Sequence, residues 1–251
     1  MPSSLDIFAK TSKLQLIDLS GNDIEEPMLK RIHFKSLHAL SSLDLSRNTN
    51  INGIDYLAFK FTALKALNMS SVRLMNLNKL GNDNITNIDF SNNEISQIPV
   101  NSFEDLKNLI TLNLSCNNIL ELKEPVFRDT KNLKELRLQG NNLRKLDFKI
   151  FQNLVNLETL DLSSNCLESI PELMNLIKLQ NLFLQDNFLK IIPSNRALPI
   201  TLKTLDISNN SLRFIGKNTF QNIQSLNSLD ISYTNNTYID FDTNVYNPFE
   251  I

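Results

Sequence analysis

No feature of this chain limits its fold as much as the spacing in Leu133 to Leu143, LKELRLQGNNL, which recurs along nearly the whole sequence. Its fixed points are Leu133, Leu136, Leu138, Asn141 and Leu143, the pattern L-x-x-L-x-L-x-x-N-x-L. Leu136 and Leu138 are two residues apart, so on an extended strand both point to one face, which their apolarity predicts to be buried. Glu135, Arg137 and Gln139 are then predicted to face solvent. Asn141 falls where the chain leaves the strand, and its amide can donate to and accept from backbone groups that a turn leaves unpaired. Leu143 turns inward again. Each copy closes as a flat coil whose apolar residues are buried only by neighbouring coils, so one copy cannot fold alone.

Copies begin at Leu14, Leu40, Leu64, Ile85, Leu109, Leu133, Leu157, Leu179, Leu202 and Leu226, at spacings of 21 to 26 residues. Stacked, their asparagines should form a ladder. Val72 and Thr234 replace the asparagine in the third and tenth copies, and NTNI follows Asn48 in the second, which predicts two weak points and a bulged turn. A phenylalanine precedes the first leucine by six positions in several copies, as Phe103, Phe127, Phe151 and Phe220 do, and Phe8 stands the same way before Leu14. Residues 1–13 thus look like the outer half of a coil whose strand half is missing. The expected organisation is one domain over 1–251: a partial repeat at 1–13, about ten repeats over 14–238, and a tail at 239–251.

The signature, with the downstream I-P-x-x-x-F-x-x-L seen as IPVNSFEDL, resembles the typical subfamily of leucine-rich repeats. That resemblance implies an α/β leucine-rich repeat solenoid, a curved horseshoe. Its concave parallel β-sheet would have about ten strands, with mostly loop or short helical turns on the convex side. The runs LDLSRN, LNLSCNNI and LDLSSNCL, with phenylalanine-bearing convex arms, are similar to ectodomains of Toll-type receptors. The tail, with Asn247, Pro248 and Phe249, resembles the start of the cysteine-bearing segment that closes such solenoids, but no cysteine follows. Both ends agree with an interior fragment of such an ectodomain. The family implies recognition of a protein, or of a glycan, on the concave face, with signalling done elsewhere. An intracellular repeat scaffold or regulatory subunit, and a matrix or adhesion protein, share these repeat features and stay open.

Composition narrows the chemistry. A formal net charge of −2 argues against nucleic acid as the main partner. No apolar run approaches the roughly 18 residues of a membrane span, and the opening MPSSLDIFAKTSK carries no apolar leader core. The two histidines, His33 and His38, lack further metal ligands nearby in the sequence, and no phosphate loop, nucleophile elbow or H-E-x-x-H occurs. No enzyme, metal or cofactor is expected. Cys116 and Cys166 lie two copies apart at different template positions, too far for a bridge, and are predicted to be free thiols.

What remains is the exposed strand residue between the second and third leucines: Asp18, Asp44, Asn68, Asp89, Asn113, Arg137, Asp161, Phe183, Asp206, Asp230. Aspartate or asparagine is the consensus state there. Arg137 and Phe183 break the column, and the same two copies carry Gln139 and Gln185 where serine is usual. Arginine and aromatic side chains dominate binding hot spots, so Arg137, Gln139, Asp161, Phe183 and Gln185 form the expected partner-binding patch. The alternative is that Phe183 packs on Arg137 or Phe188. A basic excess between Lys123 and Lys149 offers a lesser candidate for anionic ligands. N-x-S/T sequons at Asn68, Asn84, Asn113, Asn209 and Asn235 are candidate glycosylation sites, but a chain this rich in Asn, Ser and Thr carries about that many by chance. The expected extracellular or cell-surface location follows from the receptor resemblance, with a cytoplasmic one as the alternative.

Overall fold

The computed structural model describes residues 8, 10–25, 34–51, 59–60, 62–147, 149–192, 198–213, 215–216 and 219–234. The ten templates become ten short strands: β1 (Leu16–Asp18), β2 (Ser42–Asp44), β3 (Ala66–Asn68), β4 (Asn87–Asp89), β5 (Thr111–Asn113), β6 (Glu135–Arg137), β7 (Thr159–Asp161), β8 (Asn181–Phe183), β9 (Thr204–Asp206) and β10 (Ser228–Asp230). They pair in chain order as a single parallel sheet. Register is exact in template terms, with Leu112, Leu136, Leu160 and Leu182 side by side. Repeats of near-constant length leave each strand no other place to pair. Among the described residues, turns and one 3-10 segment, Phe34–Ser36, make up the outer side.

The template leucines form one continuous core, with Leu133, Leu136, Leu138 and Leu143 fully buried. The outer phenylalanines join it. Phe103 and Phe127 stack with centroids 6.0 Å apart, Phe127 and Phe151 at 6.3 Å, and Phe34 meets Phe59 edge-on at 5.0 Å.

The asparagine ladder is present and buried. Asn141 donates from Nδ2 to the carbonyls of Leu138 in its own coil (2.9 Å) and Leu114 in the previous one (3.0 Å), while its Oδ1 accepts the Ile119 N–H (3.0 Å). Asn117 and Asn165 repeat this pattern. The two irregularities near the N-terminus repair each other. Ile51 should bond to a ladder asparagine at position 72; because valine stands there, the longer NTNI turn lets the Ile51 N–H bond to the Asn48 carbonyl instead (3.1 Å). Thr234 keeps part of a rung by donating its hydroxyl to the Ile231 carbonyl (3.0 Å).

A second asparagine column runs along the edge where the strands begin. Asn108, Asn132 and Asn156 donate to the carbonyls of Asp83, Lys107 and Lys131 in the preceding coils, at 2.8 to 2.9 Å. Its sequence signal is the Asn-Leu step that opens those templates.

The residue just before each ladder position is left-handed, from Gly21 (φ 65°) through Arg47 (57°), Ser71 (58°) and Cys116 (53°) to Gly140 (67°) and Tyr233 (53°). The turn demands this conformation whatever residue sits there, and a non-glycine residue is strained in it. Arg47→Gly, at an exposed position, is therefore expected to stabilise the protein by about 0.5 kcal/mol, the relief of strain less the flexibility glycine adds to the unfolded chain. A higher urea midpoint with an unchanged slope is the expected reading.

Candidate functional site

The column at the third residue of each strand lies on the solvent face of the sheet, and its consensus residue has a structural task. Asp44, Asp89, Asp161 and Asp206 each accept, through Oδ1, the N–H of the serine two residues on, at 2.8 to 3.0 Å. Asn68 and Asn113 do the same for Ser70 and Ser115. In most of these coils the serine hydroxyl donates to that oxygen as well, as Ser163 does to Asp161 at 2.7 Å. The carboxylate thus caps the turn that leads to the ladder.

In the first and last coils the Ser20 and Ser232 backbone N–H groups, with their hydroxyls, favour the ionised carboxylate and hold Asp18 and Asp230 below the usual aspartate range. A group with a depressed folded pKa contributes stability above its unfolded value and loses it as pH falls through the folded one. The melting temperature should be flat above about pH 5 and fall below about pH 4; a melting temperature that holds through that range would contradict the capping role of Asp18 and Asp230.

Arg137 and Phe183 offer no such acceptor, so their coils lack the cap. In the same coils the amide oxygens Oε1 of Gln139 and Gln185 are buried without a hydrogen-bond partner. Gln139 is half-buried and therefore does not simply face solvent as the alternation predicts. Arg137 is exposed and bonds to Glu135 in its own strand. Phe183 is half-buried, and among the described residues no aromatic pair includes it. Register makes Asp161 the direct neighbour of both Arg137 and Phe183. The five residues singled out from sequence lie on three adjacent strands and the turns that follow them.

Asp18 aside, whose Oδ1 alone is engaged among the described residues, the two halves of the sheet face differ in how their carboxylates are used. In the first half Asn68 Nδ2 donates to Asp44 Oδ2 (2.9 Å) and Asn113 Nδ2 to Asp89 Oδ2 (3.1 Å), so both oxygens are taken. These pairs line a shallow depression of about 290 Å³ over β2 to β6. In the second half no donor among the described residues reaches Oδ2 of Asp161 or Asp206. Beyond the strand ends there, a depression of about 280 Å³ is bounded by Asp186, Asn209 and two aromatics, Phe188 (54% exposed) and Tyr233 (83% exposed). Asn209 donates to the Asp186 carboxylate. Sequence reasoning missed this flank, although each aromatic interrupts a polar column.

The other candidates separate. Of the sequons, Asn68 and Asn113 sit half-buried on the sheet with their amides engaged, Asn84 and Asn209 are exposed, and Asn235 lies outside the described residues. His33 also lies outside them, and His38 is exposed. Cys116 and Cys166 are free thiols. In the basic stretch Lys134 pairs with Glu158, Lys123 with Glu121, and Arg128 with Glu104 and Asp129, so much of its charge is neutralised locally. Among the described residues no cluster of metal-ligating side chains occurs, and no helix is long and apolar enough to cross a membrane.

Comparison with known proteins agrees with this geometry. The family described as leucine rich repeat matches residues 83–143, 131–189 and 200–243. A leucine-rich repeat protein of Leptospira interrogans superposes with a TM-score of 0.76 at 27% identity, covering 91% of this chain and 57% of that one. The ectodomain of the Arabidopsis thaliana receptor kinase GASSHO1/SCHENGEN3, solved with Casparian strip integrity factor 2, gives 0.69 at 28% identity, covering 88% and 27%. Two structures of the Drosophila Toll–Spatzle complex give 0.75 at 17% identity, covering 93% and 37%, and 0.52 at 27%, covering 89% and 36%. The chain thus spans about a quarter to somewhat over half the length of these proteins. No curated protein sequence matches it.

Proposed function

The chain belongs to the leucine rich repeat family, a protein-interaction fold, and from that premise we propose that it is a non-catalytic recognition module. It binds a protein ligand through Arg137, Gln139, Asp161, Phe183 and Gln185 on the sheet face, as part of the ectodomain of a Toll-like receptor. One observation carries the placement of the site. Coils six and eight alone among the interior coils carry neither aspartate nor asparagine at the capping position, and each buries an unpartnered glutamine oxygen there. A chain that breaks its own rule at a local cost in stability does so where function asks for it. The receptor reading is supported by the likeness to the plant receptor kinase ectodomain in complex with Casparian strip integrity factor 2 and to the Toll–Spatzle complex.

The site is tested by capturing partners from the source tissue with the wild-type chain and with an Arg137→Asp, Phe183→Asp variant. Loss of the specific partner in a variant that melts normally supports the patch; equal capture by both refutes it. Placement outside the cell predicts glycans. Secreted from a eukaryotic host, the chain should gain mass that peptide N-glycosidase removes, with the exposed Asn84 and Asn209 among the modified sites. A secreted but unmodified chain favours an intracellular scaffold instead.

A further inference from the structure

We infer that the second half of the sheet face, β7 to β10, takes an arginine-bearing segment of the protein partner; this deepens the binding site proposed above and rests on it. The outward residues of these strands are Thr159, Asp161, Asn181, Phe183, Thr204, Asp206, Ser228 and Asp230, with carboxylates but no cation. Charge alone does not select this region, because aspartates cap turns in the first half as well. Free carboxylate oxygens on both sides of an aromatic do; Asp18 also keeps Oδ2 without a donor among the described residues, but its strand neighbour is Asp44. Asp44 and Asp89 have Oδ2 occupied by asparagine amides, whereas Asp161 and Asp206 present Oδ2 with no donor among the described residues.

Parallel register sets Phe183 between those two aspartates, as the direct neighbour of each. At about 4.8 Å per strand, the carboxylates flank the ring on both sides. A guanidinium lying on the ring meets a carboxylate at its edge on either side, combining stacking on the aromatic face with charge-assisted hydrogen bonds. An ammonium gains the charge but not the planar stacking, so arginine is preferred over lysine. The buried Gln185 oxygen, which lacks a donor, stands at the end of the same strand. An anionic ligand such as RNA would place phosphates against Asp161, Asp206 and Asp230, with like charges opposed.

Labelled nona-arginine, nona-lysine and oligouridine, titrated into the full chain at about 0.15 M salt, where distant surface charges are screened, provide the test. Nona-arginine should bind more tightly than nona-lysine. Phe183→Ser and Asp206→Asn should each weaken nona-arginine by about tenfold, while Asp44→Asn with Asp89→Asn should change it less than about twofold. Equal losses from the two halves, no preference for arginine, or oligouridine binding that Phe183→Ser weakens would each overturn the inference.

Arg137→Asp separates this inference from the site it rests on. It should leave nona-arginine binding unchanged or tighten it, while weakening capture of the native partner. If capture depends on Arg137 but nona-arginine is indifferent to Phe183, the inference falls and the patch stands. If nona-arginine depends on Phe183 and capture is indifferent to Arg137, the patch as drawn falls and the cationic site stands.

Discussion

Replacing Asn93 with alanine is expected to destabilise the solenoid by about 3–5 kcal/mol, more than the same change at any other ladder asparagine. Its neighbour sets it apart. Because Val72 leaves the previous rung without an amide, Asn93 Oδ1 accepts two N–H groups, those of Val72 (3.0 Å) and Leu74 (2.9 Å). Its Nδ2 donates to the carbonyls of Met69 (2.8 Å), Phe90 (2.9 Å) and Ser91 (3.1 Å). Asn93 itself is buried. Alanine would leave several buried backbone groups unpaired, each costing about 1–3 kcal/mol where water does not replace the lost partner.

The comparison that decides is Asn117→Ala, at a rung whose Oδ1 accepts one N–H, that of Ile95 (3.0 Å). Asn117→Ala is expected to cost about 2–3 kcal/mol. Urea unfolding followed by circular dichroism measures both, and amide exchange at Val72 and Leu74 should accelerate in the Asn93 variant. Equal losses at the two positions would mean that Asn93 does not stand in for the missing rung. Repeat proteins are held by nearest-neighbour interfaces, so a broken rung at coil four should also separate the unfolding of coils one to three from the rest.

Why the coils were legible from sequence, and their repairs were not, follows from the range of each interaction. Leu136 and Leu138 announce a buried strand face through a spacing of two, and Asn141 announces a turn, because those signals are local and recur in every copy. The exchange between NTNI and Val72 needs two coils to be placed side by side before it becomes visible. The same holds for the aspartate column. Its sequence shows a consensus, but only the bonds from Ser163 and Ser208 show that Asp161 and Asp206 are caps with one oxygen to spare. Arg137 and Phe183 were legible as departures; the unpartnered Gln139 and Gln185 oxygens, which give those departures a cost, were not. Phe188 and Tyr233 interrupt polar columns of the turn, but that two such departures, from coils eight and ten, bound one depression shows only once the coils are stacked.

That cost leads to a second expectation with a large effect. Restoring the consensus in both departing coils, through Arg137→Asp with Gln139→Ser and Phe183→Asp with Gln185→Ser, should make the protein more stable while abolishing recognition. Each restored aspartate gives the following N–H a charged acceptor, each serine hydroxyl reproduces the bond seen from Ser163 to Asp161, and an unpartnered glutamine oxygen is removed. The gain is about 1 kcal/mol per coil. With coil seven between them the two gains should nearly add.

Binding should move the other way. Loss of an arginine and an aromatic anchor together is expected to weaken the native partner by about a hundredfold or more. The opposed signs are the informative part. A mutation that merely damages the fold lowers stability and binding together, and a mutation on an idle surface leaves binding alone. Only residues retained for contact at the expense of their own coils give a protein that melts later and binds less. A quadruple variant that melts earlier than the wild type would show that Arg137 and Phe183 are supported by packing rather than tolerated for binding, and would remove the ground on which the site is placed.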